Sequence, residues 1–145
     1  MNDRLKSLYQ TVILAKAKDE KYLGQLESFT HAVTAYNPLC GDKYELQLSI
    51  EKDTIAFIKY TGSGCSISKA SATVLCESIV GTTLEEALMQ IEEFLEIVNA
   101  ESSLAAEEIT DSEELLAFAA AREFPERKSC ADLVWISLKS QLDKV

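Results

Sequence analysis

Four cysteines, Cys40, Cys65, Cys76 and Cys130, carry most of the chemistry this 145-residue chain can offer, and Asp42 stands two places after the first. In Cys40-Gly41-Asp42 a thiol and a carboxylate share the tip of a turn that Asn37, Pro38 and Gly41 explain by themselves. Cys65 follows Gly62-Ser63-Gly64 and precedes a helical run; Cys130 follows the break at Pro125 and reads as opening the last helix. A thiol at a helix N-terminus faces the positive end of the backbone dipole, which favours the thiolate and its affinity for metals. Cys76 lies among Val74, Leu75 and Ile79 and reads as a small buried hydrophobe. Three thiolates and one carboxylate suit tetrahedral zinc, and thiolates also hold iron–sulfur clusters. A carboxylate binds a soft metal more weakly than a thiolate, so the set implies an exchangeable site. No paired Cys-x-x-Cys occurs, so this is not a zinc-finger pattern, and spacing alone reaches a thiolate-rich site and no further.

The elements that must position these residues follow from periodicity. Leu5, Leu8, Val12 and Ala15 predict a helix over residues 3–17. Three alternating runs follow: Phe29, His31, Val33 and Ala35; Tyr44, Leu46, Leu48 and Ile50; then Ile55, Phe57 or Ile58, and Tyr60. Short connections make them an antiparallel meander. After Cys65 the period becomes helical, with Ile67, Ala70, Val74 and Ile79 inward and Gly81 as the stop. Thr83 and Glu86 have capping-box spacing ahead of a stripe of Leu84, Ala87, Leu88, Ile91, Leu95 and Val98. Asp111 or Ser112 caps a further helix to Ala121, and Leu133, Val134, Leu138 and Leu142 mark the last one. The small, acidic residues 99–111 read as a loop insertion. The predicted fold is a single α+β domain over residues 1–145, a three-stranded antiparallel sheet packed with about five helices.

Composition narrows the function. Asp and Glu outnumber Lys and Arg 24 to 14, a net charge of −10, which repels nucleic acid and anionic membranes and tolerates basic protein partners. No signal-peptide pattern or membrane-length apolar run is present, so a cytoplasmic location is expected and the thiols should be reduced rather than paired. His31, the sole histidine, is more often a structural strand residue than a ligand, and Trp135 reads as core. The acidic run around Glu85, Glu86, Glu92 and Glu93 reads as a solvated helix face that can also meet a basic partner. No general-base histidine adjoins a cysteine motif and no phosphate loop occurs, which argues against an enzyme.

The segments "NPLCGD", "GSGCSISKASA" and "FPERKSCADLVW" resemble, in order and placement, the three cysteine motifs of the U-type iron–sulfur cluster assembly scaffolds: IscU, SufU and the N-terminal part of NifU. The likeness spans roughly residues 26–138 and is nearest to SufU. The Leu-Pro-Pro-Val-Lys chaperone motif is absent, no histidine adjoins Cys130, and a longer insertion separates Cys65 from Cys130. The resemblance implies that Cys40, Asp42, Cys65 and Cys130 ligate zinc, with a transient iron–sulfur cluster as further cargo. It implies a SufS-like cysteine desulfurase as partner, downstream cluster-assembly or acceptor proteins beyond it, and sulfur transfer in place of catalysis proper. Cys40 is the expected persulfide acceptor, because a turn tip swings out more easily than a helix start. Arg127 falls at the family's "FPxR" arginine and is expected to pair with Asp42 or a bound anion. One stretch departs: where SufU-like chains carry His-Tyr-x-Asn-Pro-Arg-Asn-x-Gly, residues 16–24 agree only at Gly24. That departure defines the alternative, a diverged paralogue whose zinc is purely structural and whose role is regulatory or in protein interaction.

Overall fold

A computed structural model describes residues 2–145. In chain order it contains α1 (Asp3–Lys18), β1 (His31–Asn37), β2 (Asp42–Glu51), β3 (Thr54–Ser63), α2 (Ser66–Ile79), α3 (Leu84–Ile97), α4 (Ala106–Ile109), α5 (Glu113–Leu116), a 3-10 helix (Ala117–Arg122) and α6 (Pro125–Leu142). The strands form one antiparallel sheet in the order β1-β2-β3. Among the described residues no helix is long and apolar enough to cross a membrane.

The sheet's parity resolves a choice the alternation left open. Leu48 faces Ile58 but Ile50 faces Ile55, so a bulge at Ala56 shifts the register by one residue. Ile55 and Ile58 are thereby both buried, while Phe57 is exposed. The β2–β3 turn is a two-residue hairpin with positive φ at Lys52 (50°) and Asp53 (62°), the twist that suits antiparallel strands. Phe29 lies outside β1, which begins at His31, because the segment before it bonds to β2 through Thr30 rather than by strand alternation.

Helix α2 is buried from Ala70 to Cys76, and its small residues Ala70, Ser71, Ala72 and Thr73 let α1, α6 and β3 approach closely. In α1 Leu5, Leu8 and Val12 pack inward as predicted, joined by Tyr9 and Ile13, while Ala15 is exposed. Thr83 and Glu86 form the expected capping box at the start of α3. Trp135 is fully buried and stacks on Phe94 at 4.0 Å.

Three predicted boundaries move. Residues 99–111 carry the short helix α4, and the insertion is pinned to the end of α3 by Arg122, whose guanidinium donates to the carbonyls of Glu96 (3.0 Å), Ile97 (2.7 Å) and Leu104 (2.7 Å). Ser112, rather than Asp111, caps α5, which tightens into the 3-10 helix instead of continuing to Ala121 as an α-helix. Pro125 does not break the chain ahead of α6. It occupies the helix's first turn, where a missing N–H costs nothing, so Cys130 lies in the second turn rather than at the start.

Candidate metal centre

Three elements converge at one end of the sheet. Asn37 pairs with Asp42 across the β1–β2 turn, whose tip is closed by Gly41 N–H to the Asn37 carbonyl (2.8 Å) and Leu39 N–H to Asn37 Oδ1 (3.1 Å). Gly41 takes φ +77°, a left-handed conformation that glycine adopts without strain. Cys40 is therefore held out on an exposed tip, while Asp42, one residue into β2, is only 1% exposed. On the far side of β2 the pairs Lys43–Ser63 and Tyr44–Gly62 bring the end of β3 beside Asp42, which delivers Gly64 and Cys65 to it. Cys65 is the N-cap of α2, as its sequence context predicts, and its thiol caps no backbone N–H. Helix α6 supplies Cys130 from across α2.

Cys40 Sγ, an Asp42 carboxylate oxygen and Cys130 Sγ lie within 4.8 Å of one another. Cys65 Sγ lies outside that triad, and Cys65 joins it through its backbone N–H, which donates to Asp42 Oδ1 at 3.1 Å. Zinc–sulfur bonds of about 2.3 Å set tetrahedral sulfurs roughly 3.7 Å apart, so the triad already stands near the spacing of a metal-bound set and Cys65 Sγ is the ligand that has to come in. Asp42 Oδ2 supplies the independent test of fit. It is buried and has no hydrogen-bond partner among the described residues. A buried carboxylate oxygen without a partner costs on the order of several kcal/mol, a cost that a cation at the thiols removes. The donor set and this orphaned oxygen both fit zinc.

The electrostatics agree. Burial pushes the Cys130 thiol well above its ordinary pKa, and Cys65, Asp42 and Cys40 push it further in the same direction. Without a cation the cluster is short of positive charge, and a bound divalent metal inverts that balance. The helix-start activation expected for Cys130 does not operate, because the residue is one turn too deep and buried. Cys76 is fully buried and its pKa is pushed up by desolvation, in keeping with a core thiol.

One expected contact is absent among the described residues. Arg127, in the first turn of α6, is exposed and makes no ion pair with Asp42, whose carboxylate lies buried beneath the turn. Instead Arg127 lines a groove of about 420 Å³ with Tyr9, Ile13, Leu14, Cys65 and Ser66. His31 sits at the opposite end of β1 from Asn37, roughly 20 Å from the thiols by strand rise, and its Nδ1 contacts Thr30 Oγ1 at 2.7 Å.

Sequence reasoning overlooked Ser68 and the phenol end of Tyr44. Tyr44 Oη lies 2.8 Å from Ser68 Oγ, and Ser68 Oγ lies 3.8 Å from Cys65 Sγ. Burial, foremost, pushes the Tyr44 pKa up to about 12, so it remains a phenol. The missed signal was Ser68 standing three residues after an N-cap, the spacing at which a side chain reaches back. Gly64 closes over this group so tightly that a Cβ there would stand 2.4 Å from both Asp42 Oδ1 and Ser68 Oγ.

Comparison with known proteins agrees with this arrangement. Residues 8–131 match the family described as NifU-like N terminal domain. The chain is 33% identical over 141 residues to the iron–sulfur cluster assembly scaffold protein IscU of Streptococcus pyogenes serotype M1, covering 97% of this chain and 86% of that one. It is 32% identical over 143 residues to the zinc-dependent sulfurtransferase SufU of Bacillus subtilis, covering 99% and 95%. The crystal structure of FiSufU from Fervidobacterium islandicum AW-1 superposes with a TM-score of 0.83 at 28% identity, over 94% of this chain and 97% of that one. The α+β fold is thus that of a solved relative, and the chain belongs to the NifU-like N-terminal domain family.

Proposed function

We propose that this chain is an iron–sulfur cluster assembly scaffold of the SufU kind, a zinc-dependent sulfur acceptor served by a cysteine desulfurase. Cys40, Asp42, Cys65 and Cys130 hold one zinc ion, and Cys40 takes the sulfur. The observation that carries this reading is the buried, unpartnered Asp42 Oδ2 beside the clustered thiols. Zinc bound there keeps the thiols as thiolates at neutral pH and protects them from oxidation.

The chain's own residues account for the rest of the chemistry. Gly41 and Asn37 present Cys40 on a tip that a partner can reach, with Leu39 beside it 94% exposed. The Cys40 thiolate attacks the outer sulfur of the desulfurase persulfide, and a new S–S bond forms on Cys40. The old S–S bond breaks, the desulfurase cysteine leaves as thiolate, and the proton stays on the transferred sulfur. No external oxidant or reductant enters the balance. Arg127, exposed at the groove beside Cys65, offers a cation to the anionic persulfide or to an acidic group of the partner. An assembling iron–sulfur cluster would be cargo on the same thiolates.

The exposure of Cys40 weighs against a purely structural zinc, since a structural site gains from burying every ligand. The test mixes the zinc-loaded protein with a SufS-like desulfurase and cysteine, and follows both turnover and the mass of the chain. Faster turnover and a chain heavier by one sulfur atom are expected. Neither effect, in a protein that still binds zinc, would leave the structural alternative standing.

A further inference from the structure

Resting on the zinc and sulfur reading above, we propose that Ser68, held by Tyr44, is a positioning residue that ties Cys65 to the metal and leaves Cys40 as the reactive sulfur. Ser68 and Tyr44 are each 1% exposed, so their hydroxyls must find partners inside the protein. Ser68 Oγ lies 2.8 Å from Tyr44 Oη, 3.0 Å from the Cys65 carbonyl and 3.8 Å from Cys65 Sγ. With Cys65 as a thiol the directions are fixed. Ser68 O–H donates to the Cys65 carbonyl, while Tyr44 O–H and Cys65 S–H both donate to Ser68 Oγ.

As a zinc ligand Cys65 is a thiolate, and that reverses one of these bonds. A thiolate only accepts, so its contact with Ser68 survives only if Ser68 becomes the donor. The Cys65 carbonyl can release Ser68, because it also accepts the Lys69 N–H at 3.0 Å. The Ser68 hydroxyl therefore turns onto the Cys65 thiolate without orphaning any buried group. Tyr44 goes on donating to Ser68 Oγ and polarises it further. A hydrogen bond from a hydroxyl favours the charged form of the sulfur and draws charge off it, which lowers its nucleophilicity.

Among the described residues neither other thiol has a hydroxyl partner. Cys40 stands exposed on its turn, and the groups around Cys130 are Cys65, Asp42 and Cys40. One side-chain hydroxyl thus sets Cys65 apart from two chemically identical ligands, and of those two only Cys40 is exposed. Gly64 keeps the arrangement tight, since any side chain there would enter the space between Asp42 and Ser68.

The experiment treats zinc-loaded wild type, Ser68→Ala and Tyr44→Phe with limiting iodoacetamide, locates the modified cysteines by peptide mass and follows zinc release to a chromogenic chelator. In wild type Cys40 should be modified first. Ser68→Ala should raise the share of modification at Cys65 about tenfold, as loss of a charge-assisted hydrogen bond implies. Tyr44→Phe should raise it by roughly threefold, as loss of a weaker supporting bond implies. A merely structural role for Ser68 would instead lower the melting temperature and speed all the thiols alike, Cys76 included. An unchanged order in Ser68→Ala, a uniform acceleration, or a wild type modified first at Cys65 each overturns the relay while the zinc reading stands. A wild type that binds no zinc overturns both.

Discussion

Cys65 and Cys76 sit on the same helix and share little except residue type. Cys65 is the N-cap of α2, half-exposed, with Asp42, Ser68 and Cys130 around it. Cys76 lies near the other end of α2, fully buried beside Leu75 and Ile79, its thiol driven towards the neutral form by burial. Position along a helix decides the difference. The first turn presents unpaired N–H groups and a chain entry that loops can meet, whereas the later turns of a core helix meet only packed neighbours. A cysteine becomes a site where the fold brings other donors to it.

The largest test of this contrast is reactivity in the metal-free, folded protein. Cys76 can meet a thiol reagent only through broad unfolding, so it should react on the order of 10⁴-fold more slowly than Cys65. A thiol reagent with mass mapping measures both rates, and comparable rates would mean that α2 opens locally. Next comes metal affinity. Cys65→Ser should weaken zinc binding by more than about 100-fold, beyond what loss of a supporting contact costs. Serine is a better N-cap than cysteine, so helix damage cannot account for that loss. Cys76→Ser should leave zinc stoichiometry intact and cost about 1–3 kcal/mol of stability, because it puts a polar hydroxyl into an apolar core. Competition with a chelator and thermal melting separate the two outcomes, and loss of zinc from Cys76→Ser would break the comparison.

Legibility in the sequence followed the same logic. The period change after Cys65, the Thr83 capping box and the three alternating runs were readable because each is a local pattern with a local cause. The Ala56 bulge was not, since a single extra residue shifts parity without altering composition. Pro125 misled the placement of Cys130, because proline marks the first turn of a helix as readily as the end of one. The grouping of Cys40, Asp42 and Cys130 spans most of the chain, and spacing alone left it open; the family resemblance supplied the expectation. Ser68 and Tyr44 escaped because a side-chain relay depends on distances that no periodicity encodes. The Arg122 clamp on the end of α3 was equally invisible, being three contacts between one side chain and distant carbonyls.

A smaller effect probes the packing that separates the two cysteines. Gly64→Ala places a methyl group where Asp42 Oδ1 and Ser68 Oγ stand 2.4 Å away, and Tyr44 Oη 2.7 Å. Asp42 and Ser68 must yield, so zinc affinity should fall by about tenfold, the size of a disturbed supporting shell. Cys76, far down the helix, should keep its slow reactivity. The same chelator competition reads the affinity, and an unchanged value would mean that Asp42 is dispensable to the metal.

The smallest expected effect concerns Arg127. It is exposed and unpaired with Asp42, so Arg127→Ala should leave zinc affinity within about twofold of wild type, as for any surface charge off the ligands. Its groove opens beside Cys65 and not beside Cys76, so any contribution must come through what docks there. Sulfur transfer from the desulfurase should slow by about two- to fivefold, the range of one solvent-exposed ion pair, and the loss should shrink as salt rises. A salt series of persulfide formation measures this. A loss of zinc instead would place Arg127 among the groups that hold the metal site together, and the contrast between the two ends of α2 would then extend to α6.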